Sequence, residues 1–253
     1  MATKLIRYIE ELAANAWPAA VMQEVDGWRL RFNWGVTRRA NSVWPNQARG
    51  DHSLDEKLRW VEDFYGRWGG TARYQMCPAA QPAGLDRILA ERGYTATSQT
   101  AIQIAPIAEV LARSRANLAH SVKVGDHFGE AWFATYCQAE GVSAPTAEIR
   151  RGILQRIGPR PGFALLEIDG EAVALGLGVV ERGWLGVFSM ATRPEFRRRG
   201  AATAVLQTLA EWGQQHQASH MYLQVVAENA PALALYGGLG FETLYHYYYR
   251  EAQ

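Results

Sequence analysis

The chain is 253 residues long, enough for one large domain or two of ordinary size, and 48% hydrophobic residues can fill a core. With 26 basic against 25 acidic residues the formal net charge is +1, which argues against wholesale binding to nucleic acid or to an acidic membrane surface. Cys77 and Cys137 form no CxxC or Cys/His spacing, so no disulfide framework and no metal site are expected, and both read as buried thiols.

In chain order, Met1 to Leu12 reads as an amphipathic helix and not as a secretion signal. No apolar run is long enough to span a bilayer, so a cytoplasmic protein without membrane partners is expected. Asp26-Gly27 has the form of a hairpin turn. Trp28, Leu30 and Phe32 then alternate with arginines, as on a half-exposed strand. Six of the nine tryptophans, Trp17, Trp28, Trp34, Trp44, Trp60 and Trp68, fall in the first 68 residues, where packing or an interface is expected of them. Ser53 and Glu56 make an S-x-x-E capping box before the helical run Leu54, Leu58, Val61, Phe64, Tyr65. A strand-like run from Thr97 to Ile104 follows Leu89 to Tyr94.

A small polar and basic stretch, Ala112 to Leu118, suggests a domain boundary near Ser114. Beyond it, Ala119 to Val124 reads as a strand, and His127 to Ala139 and Ala144 to Ile157 as helices ahead of Gly158-Pro159. Gly162 to Ile168, Ala172 to Val180 and Val187 to Met190 have the apolar bias of strands. Next comes Arg197-Arg198-Arg199-Gly200-Ala201-Ala202, which opens a helix whose apolar residues recur at Ala202, Val205, Leu206, Leu209 and Trp212. That helix start has no Ser, Thr, Asp or Asn cap, so free N–H groups sit beside three arginines. On the turn alone two readings stand, a diphosphate cradle and a solvated basic loop. From Met221 a strand leads through a loop ending at Asn229 into a helix with Pro231 in its first turn, and Thr243 to Arg250 reads as a last strand.

The two halves look alike in outline. Leu89 to Tyr94 parallels Tyr236 to Phe241 at an offset of 147 residues, and Asn41 to Pro45 parallels the segment ending at Pro194 at nearly the same offset. So long a period suggests two copies of one domain. Aligned on their prolines, Asp51-His52-Ser53 takes the place of Gly200-Ala201-Ala202, and Leu89 that of Tyr236. The first copy therefore has a helix start that is already satisfied and acidic residues that would repel a diphosphate.

Two motifs in this order carry a resemblance to the GNAT superfamily of N-acetyltransferases. The R/Q-x-x-G-x-G/A turn is present as Arg197 to Ala202, and an N-x-x-A-x-x-x-Y-x-x-x-G-F pattern as Asn229, Ala232, Tyr236, Gly240 and Phe241. The resemblance implies an α/β fold with a mixed sheet, built here as tandem GNAT-like domains, each a twisted, mostly antiparallel sheet flanked by helices. Residues 1–112 would be a degenerate copy without a cofactor site and residues 113–253 the catalytic domain.

It further implies acetyl-CoA as co-substrate, with an acetyl group passed to a primary amine on a small molecule or on a protein or peptide. Backbone N–H groups from Arg198 to Thr203, including Gly200, Ala201 and Ala202, would hold the diphosphate, with charge from Arg197, Arg198 and Arg199. Met190, Ala191 and Thr192 would bond the pantetheine and thioester oxygen, Asn229 the cofactor arm, and Tyr236 would be the general acid. The other reading of Tyr236 is a packed helix aromatic, and of Asn229 an N-cap. Phe128, Trp132, Tyr136, Ile149 and Ile153 are candidates for the acceptor pocket, or else core residues at helical spacing. No base is singled out among Glu167, Glu181, Glu228, Asp126 and His127. A non-catalytic acyl-CoA sensor is the alternative function. The chain is expected to be a monomer, or a homodimer through Tyr245 to Tyr249 if that strand is an edge.

Overall fold

A computed structural model describes residues 2–47, 50–115 and 121–252. In chain order the elements are α1 (Ala2–Ala16), β1 (Val21–Val25), β2 (Trp28–Phe32), β3 (Val43–Trp44), α2 (Leu54–Arg67), β4 (Arg73–Met76), α3 (Leu85–Glu91), β5 (Thr95–Pro106) and α4 (Ile107–Arg113). There follow β6 (Val122–Gly125), α5 (Glu130–Ala139), α6 (Ala144–Gln155), β7 (Arg160–Ile168), β8 (Glu171–Glu181), β9 (Trp184–Thr192), α7 (Ala201–Gln215), β10 (His220–Val226), α8 (Ala230–Gly238) and β11 (Glu242–Glu251). Residues 119 and 120 of the expected strand, and 116–118 of the expected linker, lie outside the described residues.

The chain divides into two compact units, Met1–Ala101 with Gly152–Arg156 and Tyr245–Gln253, and Ile102–Arg151 with Ile157–Leu244. The boundary expected near Ser114 thus differs from this division. Ile102–Arg113, at the end of the first repeat, belongs to the second unit, and the last residues of the chain belong to the first. Each unit is a mostly antiparallel sheet with flanking helices and one parallel pair. In the first the strand order is β1-β2-β3-β4-β11, with β3 and β4 parallel. In the second it is β5-β10-β9-β8-β7-β6, with β9 and β10 parallel.

Local chemistry accounts for several elements of the first unit. Asp26 and Gly27 both have positive φ, 48° and 85°, as a two-residue hairpin between β1 and β2 requires. The Ser53 side chain accepts from the Glu56 N–H while Glu56 accepts from the Ser53 N–H, so the expected capping box starts α2. Trp17, Trp28 and Trp44 are buried, whereas Trp34, Trp60 and Trp68 are among the exposed large apolar residues. Packing therefore explains only half of the tryptophan cluster. Cys77 is buried, but Cys137 is only half-buried.

Arg31 departs from the half-exposed pattern expected of β2, since it is 3% exposed. Its guanidinium donates to Ser42 Oγ and Gln75 Oε1, both at 2.8 Å, and Gln75 donates in turn to Glu10 at 2.6 Å. The other Glu10 oxygen accepts from the Tyr245 hydroxyl at 2.7 Å. A buried charge is tolerable where its donors are satisfied in this way. Tyr245, Tyr247 and Tyr249 of β11 are all buried on one side, the period of two expected of a strand. β11 does not end the strand order and pairs β4 along Tyr248–Glu251, so it is not the edge strand that a dimer through Tyr245 to Tyr249 would need.

Burial, the largest influence, raises the Glu10 carboxyl above its ordinary 4.5. The stability gained by keeping it protonated is therefore complete below about pH 4.5 and lost as pH rises through the raised folded value. Glu10→Gln forces Gln75 to turn its amide and should cost stability at every pH. Its deficit relative to the parent should nevertheless shrink steadily above pH 4.5, read from urea unfolding across a pH series. A constant deficit would show that Glu10 does not titrate in the fold.

Candidate functional site

The second unit opens where β9 leaves β10. The parallel pairing runs from Trp184 to Val187 against His220 to Leu223 and stops, although β9 continues to Thr192 and β10 to Val226. On its other side β9 stays paired with β8, but the register shifts between Leu175 and Leu177, which face Ala191 and Phe188. Gly176 thus opposes both Ser189 and Met190, and Ser189 takes φ of 50°. This is a β-bulge, which bends the strand and re-aims its backbone groups. Along Phe188–Thr192, the stretch that holds Met190, Ala191 and Thr192, the peptide groups that do not face β8 have no β10 partner, leaving a slot of backbone groups in which the Thr192 carbonyl accepts from Arg197.

Close packing fixes this geometry. A Cβ on Gly176 would meet Met190 Sδ at 2.6 Å and Val205 Cγ1 at 2.8 Å, and one on Gly178 would meet Leu185 and Leu209. These glycines let α7 lie directly on the sheet behind the bulge. A glycine inside a strand signals such a bulge or close approach, so Gly176 is the sequence feature through which the bulge was legible but missed.

From the end of β9 a 3₁₀ turn, Pro194–Phe196, leads to the arginines and α7. Gly200 is the N-cap, with φ of 83°, no side-chain cap bond and nothing within 4 Å of where a Cβ would stand. The first helical bond runs from the Ala204 N–H to the Gly200 carbonyl at 2.9 Å, so the N–H groups of Ala201, Ala202 and Thr203 point out of the helix end. The exposed arginines have different tasks. Arg197 Nε donates to the Thr192 carbonyl at 3.2 Å, Arg199 lies over the Phe196 ring, and Arg198 makes no ion pair among the described residues. An uncapped helix start with small residues and unpaired cations fits a diphosphate.

The same place in the first unit is closed. Ser53, the N-cap of α2, lies 147 positions before Gly200, and Gly93 lies 147 before Gly240. Ser53 itself, and not Asp51 as the proline alignment has it, is therefore the counterpart of Gly200. Its side chain already occupies the helix start, and β3 stays paired with β4 at Val43 and Tyr74.

Asn229 caps α8, its side chain accepting from the Ala232 N–H at 3.2 Å. At the other end of α8, Gly240 has φ of 92°, its N–H bonds the Gly237 carbonyl, and the Phe241 N–H bonds that of Tyr236. The Phe241 ring meets the Tyr236 ring edge-on at 5.8 Å. This is a Schellman cap with its apolar contact, and it fixes the Y-x-x-x-G-F spacing. Leu89, Gly93 and Tyr94 end α3 with the same two bonds. Tyr236 is buried, its hydroxyl has no hydrogen-bond partner among the described residues, and burial pushes its phenol up to about 12.

Other candidates fall outside the slot. Trp132 and Tyr136 are buried in an aromatic cluster with Phe128, Phe133 and Phe163, Trp132 donating to the Ala164 carbonyl, and Ile153 is fully buried. Core packing thus accounts for them, and Ile149 is half-buried. Of the candidate bases, Glu167 pairs with Lys123, Asp126 with His127 and Glu181 with Arg182, while Glu228 is exposed. Among the described residues no group of three His, Cys, Asp or Glu could hold a metal, and no helix is long and apolar enough to cross a membrane.

Arg198 takes φ of 58°, a region that costs a non-glycine residue about 1 kcal/mol. Arg198→Gly should relieve that strain and raise the thermal midpoint, or leave it unchanged once the extra chain entropy of glycine is counted, whereas Gly200→Ala should destabilise by about 1 kcal/mol and so lower it. Differential scanning calorimetry of the two variants checks the contrast.

The comparisons agree with this geometry. The family model described as "Probable histone acetyltransferase Rv0428c C-terminal" matches residues 3–250. The uncharacterized N-acetyltransferase YobR of Bacillus subtilis (strain 168) is 33% identical over 247 residues, covering 97% of this chain and 98% of that one. Among solved structures, a GCN5-related N-acetyltransferase from Kribbella flavida superposes with a TM-score of 0.71 at 15% identity, over 99% of this chain and 95% of the other. A tandem GNAT protein from the clavulanic acid biosynthesis pathway does so with 0.66 at 12%, over 97% and 88%. With an opened strand pair, an uncapped helix start and a family match spanning nearly its whole length, the chain belongs to the Rv0428c C-terminal acetyltransferase family, within the GNAT superfamily of N-acetyltransferases.

Proposed function

We propose that the second unit moves an acetyl group from acetyl-CoA to a primary amine by direct attack. The observation that carries this reading is the contrast between two helix starts at equivalent places, one closed by Ser53 and one left bare at Gly200. Acetyl-CoA supplies the thioester. The N–H groups of Ala201, Ala202 and Thr203 hold its diphosphate, with charge from Arg197, Arg198 and Arg199. The peptide groups along Met190, Ala191 and Thr192 that face away from β8 hold the pantetheine and donate to the thioester oxygen, the Thr192 carbonyl being taken by Arg197. Holding the reactants in place is worth roughly 7 to 11 kcal/mol of barrier, and a donor aimed at the developing oxyanion about 3 to 4 kcal/mol. Asn229 steadies the cofactor arm through its amide nitrogen, since its oxygen caps α8.

Tyr236 is the general acid. With its phenol near 12 it carries its proton throughout the neutral range. Against an alkyl thiol near pKa 8.5, full transfer of that proton is uphill by roughly 5 kcal/mol. Its contribution is therefore partial sharing of its proton with the departing sulfur as the C–N bond forms and the C–S bond breaks; the amine's proton passes to solvent, and coenzyme A leaves as the thiol. The acceptor is an amine on a small molecule or on a protein, and the histone named by the matching family model favours a protein.

Tyr236→Phe should bind acetyl-CoA as the parent does, by calorimetry, yet lose about a hundredfold in turnover at pH 7, followed by release of free thiol. Unchanged turnover would remove Tyr236 from the mechanism. Gly200→Asp or Ala202→Glu, which place a carboxylate in the cradle, should abolish acetyl-CoA binding more thoroughly than loss of any one of the three arginines. Equal effects in the same titrations would move the diphosphate site from the helix start to the side-chain charges.

A further inference from the structure

A second open groove lies wholly within the first unit, between β1 and the outward side of α2. Its volume is about 960 Å³, and its lining includes Glu24, Asp26, Trp60, Glu62, Asp63 and Arg67. Four carboxylates thus line it against one guanidinium, although the chain as a whole is nearly neutral. Two of the four are balanced, Asp26 by Lys57 at 3.5 Å and Glu24 by Arg29 at 2.9 Å. The remaining two are not. Glu62 meets only the neutral Tyr94 hydroxyl, and the exposed Asp63 side chain has no ion-pair partner among the described residues. Arg67 is tied to Gln23 and to the Asp63 carbonyl. Beside these carboxylates the Trp60 ring is 36% exposed, with His52 edge-on against it at 4.7 Å. An accessible indole next to unpaired carboxylates suits a guanidinium or ammonium group.

The groove also borders a sheet edge. β1 ends the strand order with β2 as its one hydrogen-bonded neighbour, and its middle residues, Met22, Gln23 and Glu24, are exposed. Unpaired strand edges accept an added strand, whose main chain supplies affinity while flanking side-chain sites supply selectivity. We infer that this groove docks an extended, lysine- or arginine-bearing segment of a partner protein, laid alongside β1 with its cationic side chains against Asp63, Glu62 and Trp60.

The test uses the full chain and a fluorescein-labelled ten-residue peptide of alternating arginine and threonine, blocked at its N-terminus. Such a peptide has no primary amine, so its binding is read independently of acetyl transfer. Fluorescence anisotropy at low salt should show saturable binding. Asp63→Lys should weaken it about tenfold and Trp60→Ala roughly fivefold. Both residues are exposed, so the two variants should keep the parent's melting curve and its turnover of a small amine. The proposal is overturned if no saturable binding occurs, if a glutamate-threonine peptide binds as tightly, or if Asp63→Lys binds like the parent. Spermine displacing the labelled peptide at or below the peptide's own dissociation constant would also overturn it, because a small polycation would then be the occupant.

Discussion

The first N–H groups of α7 have no acceptor inside the helix, and the residue that begins it carries no side chain to supply one. The candidate site is centred on that unsatisfied helix start. A side-chain cap is worth about 1 kcal/mol, so its absence at the start of a fifteen-residue helix is a standing cost unless something else bonds there. Gly200 keeps the approach clear, and its positive φ turns the chain so that the N–H groups face outward. The bulge at Ser189 bends β9 where its pairing with β10 has ended, so backbone groups without a β10 partner precede the bare helix start in the chain. α7 packs closely behind them because the strand glycines leave no intervening side chains.

The first unit shows the same architecture with this constraint removed. Its helix start is bonded by Ser53, and β3 pairs β4 at Val43 and Tyr74. Its interior instead holds the polar network of Glu10, Gln75, Arg31 and Ser42. A cavity lined by such groups would need a ligand to satisfy them; here they bond one another. The Schellman caps at Gly93 and Gly240 are shared by the two halves where the cofactor turn is not, because a helix stop is required whether or not a ligand binds.

What was legible in the sequence was what depends on neighbours in the chain. The capping box, the Asp26-Gly27 hairpin, the bare start of α7 and the Tyr236 to Phe241 spacing all involve bonds across at most five residues, and each was read where it stands. The features that were missed are set by partners far away. Arg31 alternates in the sequence like a surface residue, and only Ser42 and Gln75, brought in by β3 and β4, make its burial possible. The parting of β9 from β10 is a matter of register between strands separated by a helix, of which the sequence holds only the indirect sign of Gly176 within β8. Asn229 shows the limit differently, since one side chain can be both cap and ligand contact, and the sequence cannot apportion its atoms.

The end of the chain carries this argument furthest. Its alternating tyrosines, Tyr245, Tyr247 and Tyr249, read from composition as a strand that could be an edge. Their burial is instead explained by an exchange in which each repeat gives up its last segment. Tyr245–Gln253 completes the first unit, where Tyr245 bonds Glu10, while Ile102–Arg113 completes the second, where a Cβ on Gly240 would meet Glu109 at 2.7 Å. The glycine of the Y-x-x-x-G-F motif is thus constrained twice, by the left-handed turn that ends α8 and by the close approach of α4 from the other repeat. A boundary drawn from the sequence period leaves each exchanged segment with its own repeat, whereas packing places it in the other unit.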